Sequence, residues 1–134
     1  MPESASHVKL VEAMVRWIAD TYFAGDAGSI LVDSGTSNGK PPRIDGYVPD
    51  AFATSFPGDR TVIGEAKTWR DLESRHTHDQ IVAFMRRCRA STGGVLVLAV
   101  PWHVTRLAAS LLRSLKERHA CEAVDTVVIE KLEG

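Results

Sequence analysis

Cysteine is scarce in this chain, and the two cysteines that it has are far apart. Cys88 and Cys121 form no CxxC pair and show none of the cysteine–histidine spacings that are typical of zinc sites. Neither a disulfide framework nor a structural zinc site is therefore indicated. A reduced protein of the cytoplasm is the simpler expectation.

Long apolar runs and a strong charge bias are also missing. No apolar stretch approaches the ~20 residues that a membrane-spanning helix needs, and the first residues lack the apolar core of a signal peptide. We therefore expect no membrane partner. The formal net charge of −1 gives no global sign of nucleic-acid binding, so any such surface must be local. A length of 134 residues predicts a single domain over residues 1–134.

The chain does contain a β-hairpin pattern over residues 47–68, YVPDAFATSFPGDRTVIGEAKT. Two runs rich in β-branched and aromatic residues flank Pro57-Gly58, a pair that is typical of tight turns. In an antiparallel pair centred on this turn, facing residues have numbers with a constant sum, so Asp50 is opposite Glu65. Because side chains alternate between the faces of a strand, we expect Asp50, Glu65 and Lys67 on one face.

Two carboxylates and an ammonium group on one face of a hairpin have two interpretations. Like charges repel at short distance, and a hard divalent cation between them relieves the repulsion. Mg²⁺ binds one or two carboxylates together with water and substrate phosphate, and Mn²⁺ shares this oxygen chemistry. Lys67 would then orient an attacking water or stabilise charge on a phosphate. The alternative is a surface ion pair between Lys67 and one acid, which contributes little stability.

These residues resemble a known catalytic motif. Pro49-Asp50, followed fifteen positions later by Glu65-Ala66-Lys67, is similar to the PD-(D/E)xK motif of the restriction-endonuclease-like nuclease superfamily, which includes small Holliday junction resolvases and the VRR-NUC group. The resemblance covers about residues 6–100. It implies that Asp50, Glu65 and the backbone carbonyl of Ala66 hold the metal, and that Lys67 positions the attacking water.

A predicted first helix over residues 6–23 carries an acid on its apolar side. Glu12 lies four residues after Val8 and three before Val15, both of which belong to the apolar stripe. We therefore expect the Glu12 carboxylate to point inward, where a lone charge is costly. One interpretation is a salt bridge to an arginine such as Arg43. The other is a further metal or water ligand, since the resemblance implies an acid from this helix in several members of the superfamily.

A second predicted helix, over residues 76–89, carries an amide on its inward side. Gln80 lies four residues before Phe84 and eight before Cys88, on the apolar stripe of the helix. An amide there can hydrogen-bond a metal-bound water or a phosphate, and the resemblance implies a catalytic glutamine at this place. The alternative is a structural glutamine.

Basic and histidine side chains around this hairpin are candidates for contact with nucleic acid. His76 and His78 can transfer protons or contact the phosphate backbone, and Lys40 can contact a phosphate. Arg86 and Arg87 lie on the outer side of the second helix and can form a phosphate-contacting patch. For all five, the alternative is a solvated side chain without a specific role.

The remaining segments complete an α/β pattern. An apolar run over residues 95–100 predicts a strand buried on both faces, and a leucine stripe predicts a helix over residues 103–118. Short strands are predicted over residues 29–33 and 126–130. The order α, β, β, β, α, β, α, β predicts a three-layer αβα sandwich with a central mixed β-sheet. It also matches the αβββαβ core of the fold that the resemblance implies, with one helix and one strand added.

The sequence therefore predicts a Mg²⁺-dependent nuclease that hydrolyses phosphodiester bonds, with Mn²⁺ as a second metal and an endonuclease of DNA as the expected activity. A chain of this size offers one active site, so cutting both strands of a duplex implies a homodimer or a larger complex. Two alternatives stay open: a catalytically silent nucleic-acid-binding or assembly module of the same fold, and a metal-dependent hydrolase of small phosphate esters.

Overall fold

The computed structural model describes residues 5–33, 39–55 and 60–131. Within these ranges the chain forms three α-helices and five β-strands in the predicted order. The elements are α1 (Ala5–Tyr22), β1 (Leu31–Val32), β2 (Ala51–Thr54), β3 (Thr61–Ala66), α2 (Arg75–Arg89), β4 (Val95–Pro101), α3 (Thr105–Arg118) and β5 (Asp125–Lys131). Single-turn helices lie at Ala27–Ser29, Asp71–Glu73 and Trp102–Val104.

The five strands form one mixed sheet in the order β1-β2-β3-β4-β5. Strand β2 is antiparallel to both of its neighbours, β1 and β3, whereas β3, β4 and β5 run parallel to one another. Helix α1 packs on one face of the sheet, and α2 and α3 pack on the other. The structure confirms the predicted α/β class with helices on both sides of a mixed sheet.

The pairing of β2 with β3 has the predicted register. Ala51 pairs with Gly64 and Thr54 with Thr61, which is the constant sum expected for a turn between residues 57 and 58. The turn at Pro57-Gly58 itself lies outside the described residues. Asp50 directly precedes β2 and Lys67 directly follows β3, so both lie just outside the strands on which they were predicted.

The buried face of α1 is rotated from the predicted apolar stripe of Val8, Val11, Val15, Ile18 and Tyr22, of which Val11 and Ile18 are buried. The buried residues are Leu10, Val11, Met14, Ile18 and Ala19. Val8 is 40% exposed and Glu12 is exposed, so the prediction that the Glu12 carboxylate points inward is wrong. The cause lies on β3: Gly64 has no side chain, and a Cβ there would lie 2.9 Å from Met14 Sδ. Met14 fills the space over this glycine, which sets the rotation of α1.

Helix α2 begins where a side chain caps it. Ser74 Oγ accepts a hydrogen bond from the Thr77 amide at 3.0 Å, which satisfies one of the free N–H groups of the first turn. Gln80 consequently lies in the second turn of α2, near the N-terminal end of this helix.

Two further features are the length of the helices and the state of the cysteines. Of the helices in the ranges above, none is long and apolar enough to cross a membrane. Cys88 and Cys121 are both buried and carry free thiols.

Candidate active site

Three predicted catalytic side chains meet at the point where β2 begins and β3 ends. Asp50 precedes β2, Glu65 is the penultimate residue of β3, and Lys67 follows that strand. By strand alternation they share a face with Phe52 and Ile63, which pack in the core beneath α2 and α3. The predicted convergence is therefore present in the fold.

The two carboxylates are held by reciprocal hydrogen bonds across the hairpin. Glu65 Oε1 accepts from the Asp50 amide at 3.0 Å, and Asp50 Oδ2 accepts from the Ala66 amide at 2.8 Å. Both residues are buried, with Asp50 9% and Glu65 3% exposed. Because each carboxylate is fixed to the backbone of the opposite strand, their separation is set by the hairpin itself.

Each carboxylate also contacts a basic side chain. Lys67 Nζ lies 3.2 Å from Glu65 Oε2, and His7 Nε2 lies 3.3 Å from Asp50 Oδ2. His7 is not among the site residues predicted from the sequence. The available signal is its spacing, since His7 lies four residues before Val11 and seven before Met14, both on the buried face of α1.

Glu12 does not lie on the inward side of α1 that was predicted for it. It is five residues beyond His7, which is about 140° around a helix with 3.6 residues per turn. Glu12 instead lines a separate apolar groove with Val8, Val15 and Val32, of about 310 Å³. His7, not Glu12, is the α1 side chain that contacts Asp50, so the basis for Glu12 as a metal ligand is lost.

The environment of Glu65 changes its acidity. Burial, followed by the negative charge of Asp50, raises the pKa of Glu65 to about 8, and Lys67 opposes this shift. At neutral pH the cation-free site therefore favours a protonated Glu65. A bound cation would favour the ionised form, since it replaces the repulsion from Asp50 by attraction.

The unfolding free energy of the cation-free protein is expected to fall as the pH rises from about 5 to about 8. The proton on Glu65 stabilises the folded state fully below the unfolded pKa of 4.5, and this stabilisation is lost as the pH rises through the folded value of about 8. Glu65 contributes a slope of at most about 1.4 kcal/mol per pH unit. Urea denaturation in EDTA at a series of pH values measures it.

Glu65→Gln is the matched control for this slope. The amide keeps an oxygen that can accept from the Asp50 N–H, but it does not titrate. The variant is expected to show a flatter dependence of unfolding free energy on pH over the same range, whatever its absolute stability. Equal slopes in the two proteins would show that Glu65 does not carry the shifted proton.

The donor atoms fit a hard divalent cation. One or two carboxylates are a usual protein contribution to a Mg²⁺ site, with water and phosphate as the other ligands. The Ala66 amide points towards Asp50 whereas the Lys67 amide donates to Ala99 on β4. Since the N–H and C=O of a strand residue point to the same edge, the Ala66 carbonyl also points to the Asp50 side. Among the described residues, no group of three or more His, Cys, Asp and Glu side chains is arranged to hold a metal.

Gln80 lies on the buried face of α2, as predicted. His76, Gln80 and Phe84 are four residues apart, and the Tyr47 ring contacts His76 and Phe84 edge-on, at 5.5 and 6.5 Å between centroids. Gln80 is 8% exposed, and its Oε1 has no hydrogen-bond partner in the described part of the chain. A buried acceptor without a partner costs about 1–3 kcal/mol. This oxygen is therefore suited to accept a hydrogen bond from a bound water or ligand.

The predicted nucleic-acid-binding side chains are spread more widely. Lys40, His76, Arg86 and Arg87 are exposed, and the Arg87 guanidinium lies 5.8 Å from the centre of the Phe52 ring. His78 is half-buried, with Nε2 2.9 Å from the Leu72 carbonyl oxygen, so it fixes the segment before α2. Contact of these five residues with nucleic acid stays a prediction.

No family model, curated protein or solved structure matches this chain. Any functional assignment is therefore carried by the side chains at the end of the hairpin and by the order of the elements. The similarity of Pro49-Asp50 and Glu65-Ala66-Lys67 to the PD-(D/E)xK motif stays a resemblance.

Proposed function

We propose that the protein is a divalent-metal-dependent nuclease that hydrolyses phosphodiester bonds, with DNA as its substrate and internal bonds as its target. The observation that carries this proposal is the reciprocal hydrogen bonding of Asp50 and Glu65 with Lys67 beside them. Two buried acids held together in this way destabilise the fold unless a cation or a proton occupies the space between them. A fold without catalytic use for them has no reason to keep them so close.

Asp50, Glu65 and the carbonyl of Ala66 would hold the metal. A bound Mg²⁺ or Mn²⁺ would supply a Lewis acid for the phosphate and lower the pKa of a water. Lys67, which is largely buried and 3.2 Å from Glu65, is placed to orient the attacking water or a phosphate oxygen. His7 fixes the orientation of Asp50, and Gln80 offers its unpartnered oxygen to a water at the α2 side of the site.

The activity is tested by incubation with single-stranded, duplex and branched DNA and with RNA, in Mg²⁺ or Mn²⁺. Cleavage of a circular DNA is expected, because an enzyme that cuts internal bonds does not need a free end. EDTA should abolish the reaction. Absence of cleavage of every substrate in both metals would overturn the proposal, and hydrolysis of small phosphate esters alone would replace it by a phosphoesterase.

Binding of the metal is expected to be visible without any substrate. At a free Mg²⁺ concentration ten times its Kd, the folded state gains about 1.4 kcal/mol, which raises the melting temperature of a domain of this size by roughly 3–6 °C. Ionised carboxylates bind the cation, so the rise should be larger at pH 8 than at pH 5.5. Thermal unfolding with and without Mg²⁺ measures it. An equal rise in the Asp50→Asn protein would show that the ion binds elsewhere.

We also propose that the nuclease acts as a homodimer or within a larger complex, in the cytoplasm. One site per chain can cut one strand at a time, and the two buried, free thiols fit a reducing compartment. Sedimentation analysis over a range of concentrations tests the first part. A monomer that cuts both strands of a duplex at once would contradict it.

A further inference from the structure

Two exposed tryptophans lie at the end of the sheet that carries the candidate active site. Trp69 is 52% and Trp102 is 56% exposed, although tryptophan side chains are highly buried on average. Ala66 of β3 pairs with Ala99 of β4, and each tryptophan comes three residues after its alanine. The two side chains therefore follow neighbouring parallel strands from the same level of the sheet.

A cleft of about 230 Å³ lies between these two chain segments and the start of α1. Thr68 lines it from the first segment, Trp102 and His103 from the second, and Ser6 and Lys9 from α1. Thr68 is adjacent in sequence to Lys67, and Ser6 is adjacent to His7. Two residues that line the cleft are thus the sequence neighbours of the two basic side chains that contact the carboxylates.

A basic side chain contacts each of the two exposed tryptophan rings, of which Trp102 lines the cleft and Trp69 follows Thr68 of its lining. The Arg70 guanidinium lies 5.4 Å from the centre of the Trp69 ring, and the His103 ring packs edge-on against Trp102 at 5.7 Å. Lys9 adds an ammonium group to the wall. The nearby carboxylate of Asp71 accepts a hydrogen bond from the Thr68 hydroxyl at 3.0 Å, so it is engaged within the loop.

Exposed aromatic faces next to basic side chains are the chemistry of single-stranded nucleic-acid binding, where bases stack on the rings and phosphates lie against the cations. Bases within a duplex are stacked on one another and cannot present a face to a tryptophan. The net charge of −1 excludes strong attraction by the whole surface, so a local platform is required. Nonspecific binding of a duplex depends on contacts of lysine and arginine with phosphates, and it does not require exposed aromatic rings.

From this juxtaposition we infer that Trp69 and Trp102 stack on unpaired nucleotides beside the hydrolytic site. The substrate is then a single strand, or a branched or frayed structure with a single-stranded segment. This inference rests on the proposed nuclease function, because it names the substrate class of the same site. It assigns Trp69 and Trp102 to substrate binding and specificity.

Binding is measured first, in the absence of hydrolysis. The Asp50→Asn protein in EDTA is titrated with oligothymidylate of about 15 nucleotides, or with a blunt duplex of equal length, and tryptophan fluorescence is followed. The single strand is expected to quench the fluorescence of two of the three tryptophans, since Trp17 packs against Tyr22 on α1. The duplex should bind at least tenfold more weakly.

Substitution of Trp102 tests the stacking itself. Trp102→Leu is expected to weaken single-strand binding about 5- to 150-fold, whereas Trp102→Tyr retains an aromatic face and most of the affinity. Leu107→Ala is the matched control, because Leu107 is also a large exposed side chain but lies on α3. Unchanged binding by Trp102→Leu, or equal binding of single strand and duplex, would overturn the inference.

The outcomes separate this inference from the proposed function. Single-strand binding that depends on Trp102, without cleavage by the wild-type protein, supports the platform and rejects the nuclease. Cleavage of duplex and single strand at equal rates, unaffected by Trp102→Leu, supports the nuclease and rejects the platform. Loss of self-association in Trp102→Leu with no change in nucleotide binding would identify a protein interface instead, which also rejects the platform.

Discussion

Asp50→Asn is expected to abolish hydrolysis while leaving the fold intact. Asparagine keeps a side-chain oxygen that can accept from the Ala66 amide, so the hairpin retains the hydrogen bond that ties Asp50 to β3. The substitution removes the negative charge that holds the metal. Loss of the several kcal/mol that a metal contributes to the transition state lowers the rate about 10³-fold or more. Initial rates of DNA cleavage in Mg²⁺ and circular dichroism of both proteins measure the two effects.

Asp45→Asn is the matched control for this substitution. Asp45 is an exposed acid five residues earlier in the chain, with a φ of 50°, a conformation that asparagine also tolerates. The change in net charge is the same, but no carboxylate of the site is altered. The control should cleave at the wild-type rate. An Asp50→Asn protein that cleaves as fast as the control would remove Asp50 from catalysis and leave the proposed mechanism without its central ligand.

Gly94→Ala is expected to cause the largest loss of stability among the glycine-to-alanine substitutions in the described chain. A Cβ at residue 94 would overlap the carbonyl oxygen of Cys88 and lie 2.7 Å from its carbonyl carbon. These are backbone atoms at the end of α2, so the contact is relieved only by moving α2 away from β4. We expect a loss of about 3 kcal/mol or more in unfolding free energy, at the upper end of overpacking effects. Urea denaturation at constant pH measures it.

Gly46→Ala separates steric overlap from backbone conformation. Gly46 has a φ of 87°, and a Cβ there meets nothing within 4 Å. The variant therefore carries only the conformational cost of a left-handed alanine, about 1–2 kcal/mol. If Gly94→Ala lost no more stability than Gly46→Ala, then the approach of α2 to β4 would be looser than the structure indicates.

The hairpin could be predicted because its register follows from short-range chemistry. The turn residues fix which pairs face each other, and alternation then fixes the face of every side chain. Asp50 and Glu65 were placed opposite each other on this basis, and the hydrogen bonds between their side chains and the facing backbone agree. The order of helices and strands was predictable for the same reason, since each element carries its own periodicity.

The rotation of α1 could not be predicted from its own sequence. Valines on one side of this helix give a stripe that includes Glu12, but the buried face is chosen by Gly64 on a strand far along the chain. Tertiary packing therefore decides which apolar side of the helix is buried. As a result His7, and not Glu12, contacts Asp50. The exposure of Trp69 and Trp102 is equally inaccessible to periodicity, because an isolated aromatic residue after a strand is usually read as core.

The ladder between β2 and β3 constrains which changes of chain length the site tolerates. Four consecutive pairs, from Ala51–Gly64 to Thr54–Thr61, hold the two carboxylates in phase. Deletion of one residue within either strand would turn Asp50 or Glu65 to the opposite face, beneath α1. Insertions between Ser55 and Arg60 lengthen the connection without changing a single pair. Distant relatives should therefore be sought with a pattern that keeps Glu65-Ala66-Lys67 contiguous, leaves the distance back to Pro49-Asp50 free, and places no acid requirement on the first helix.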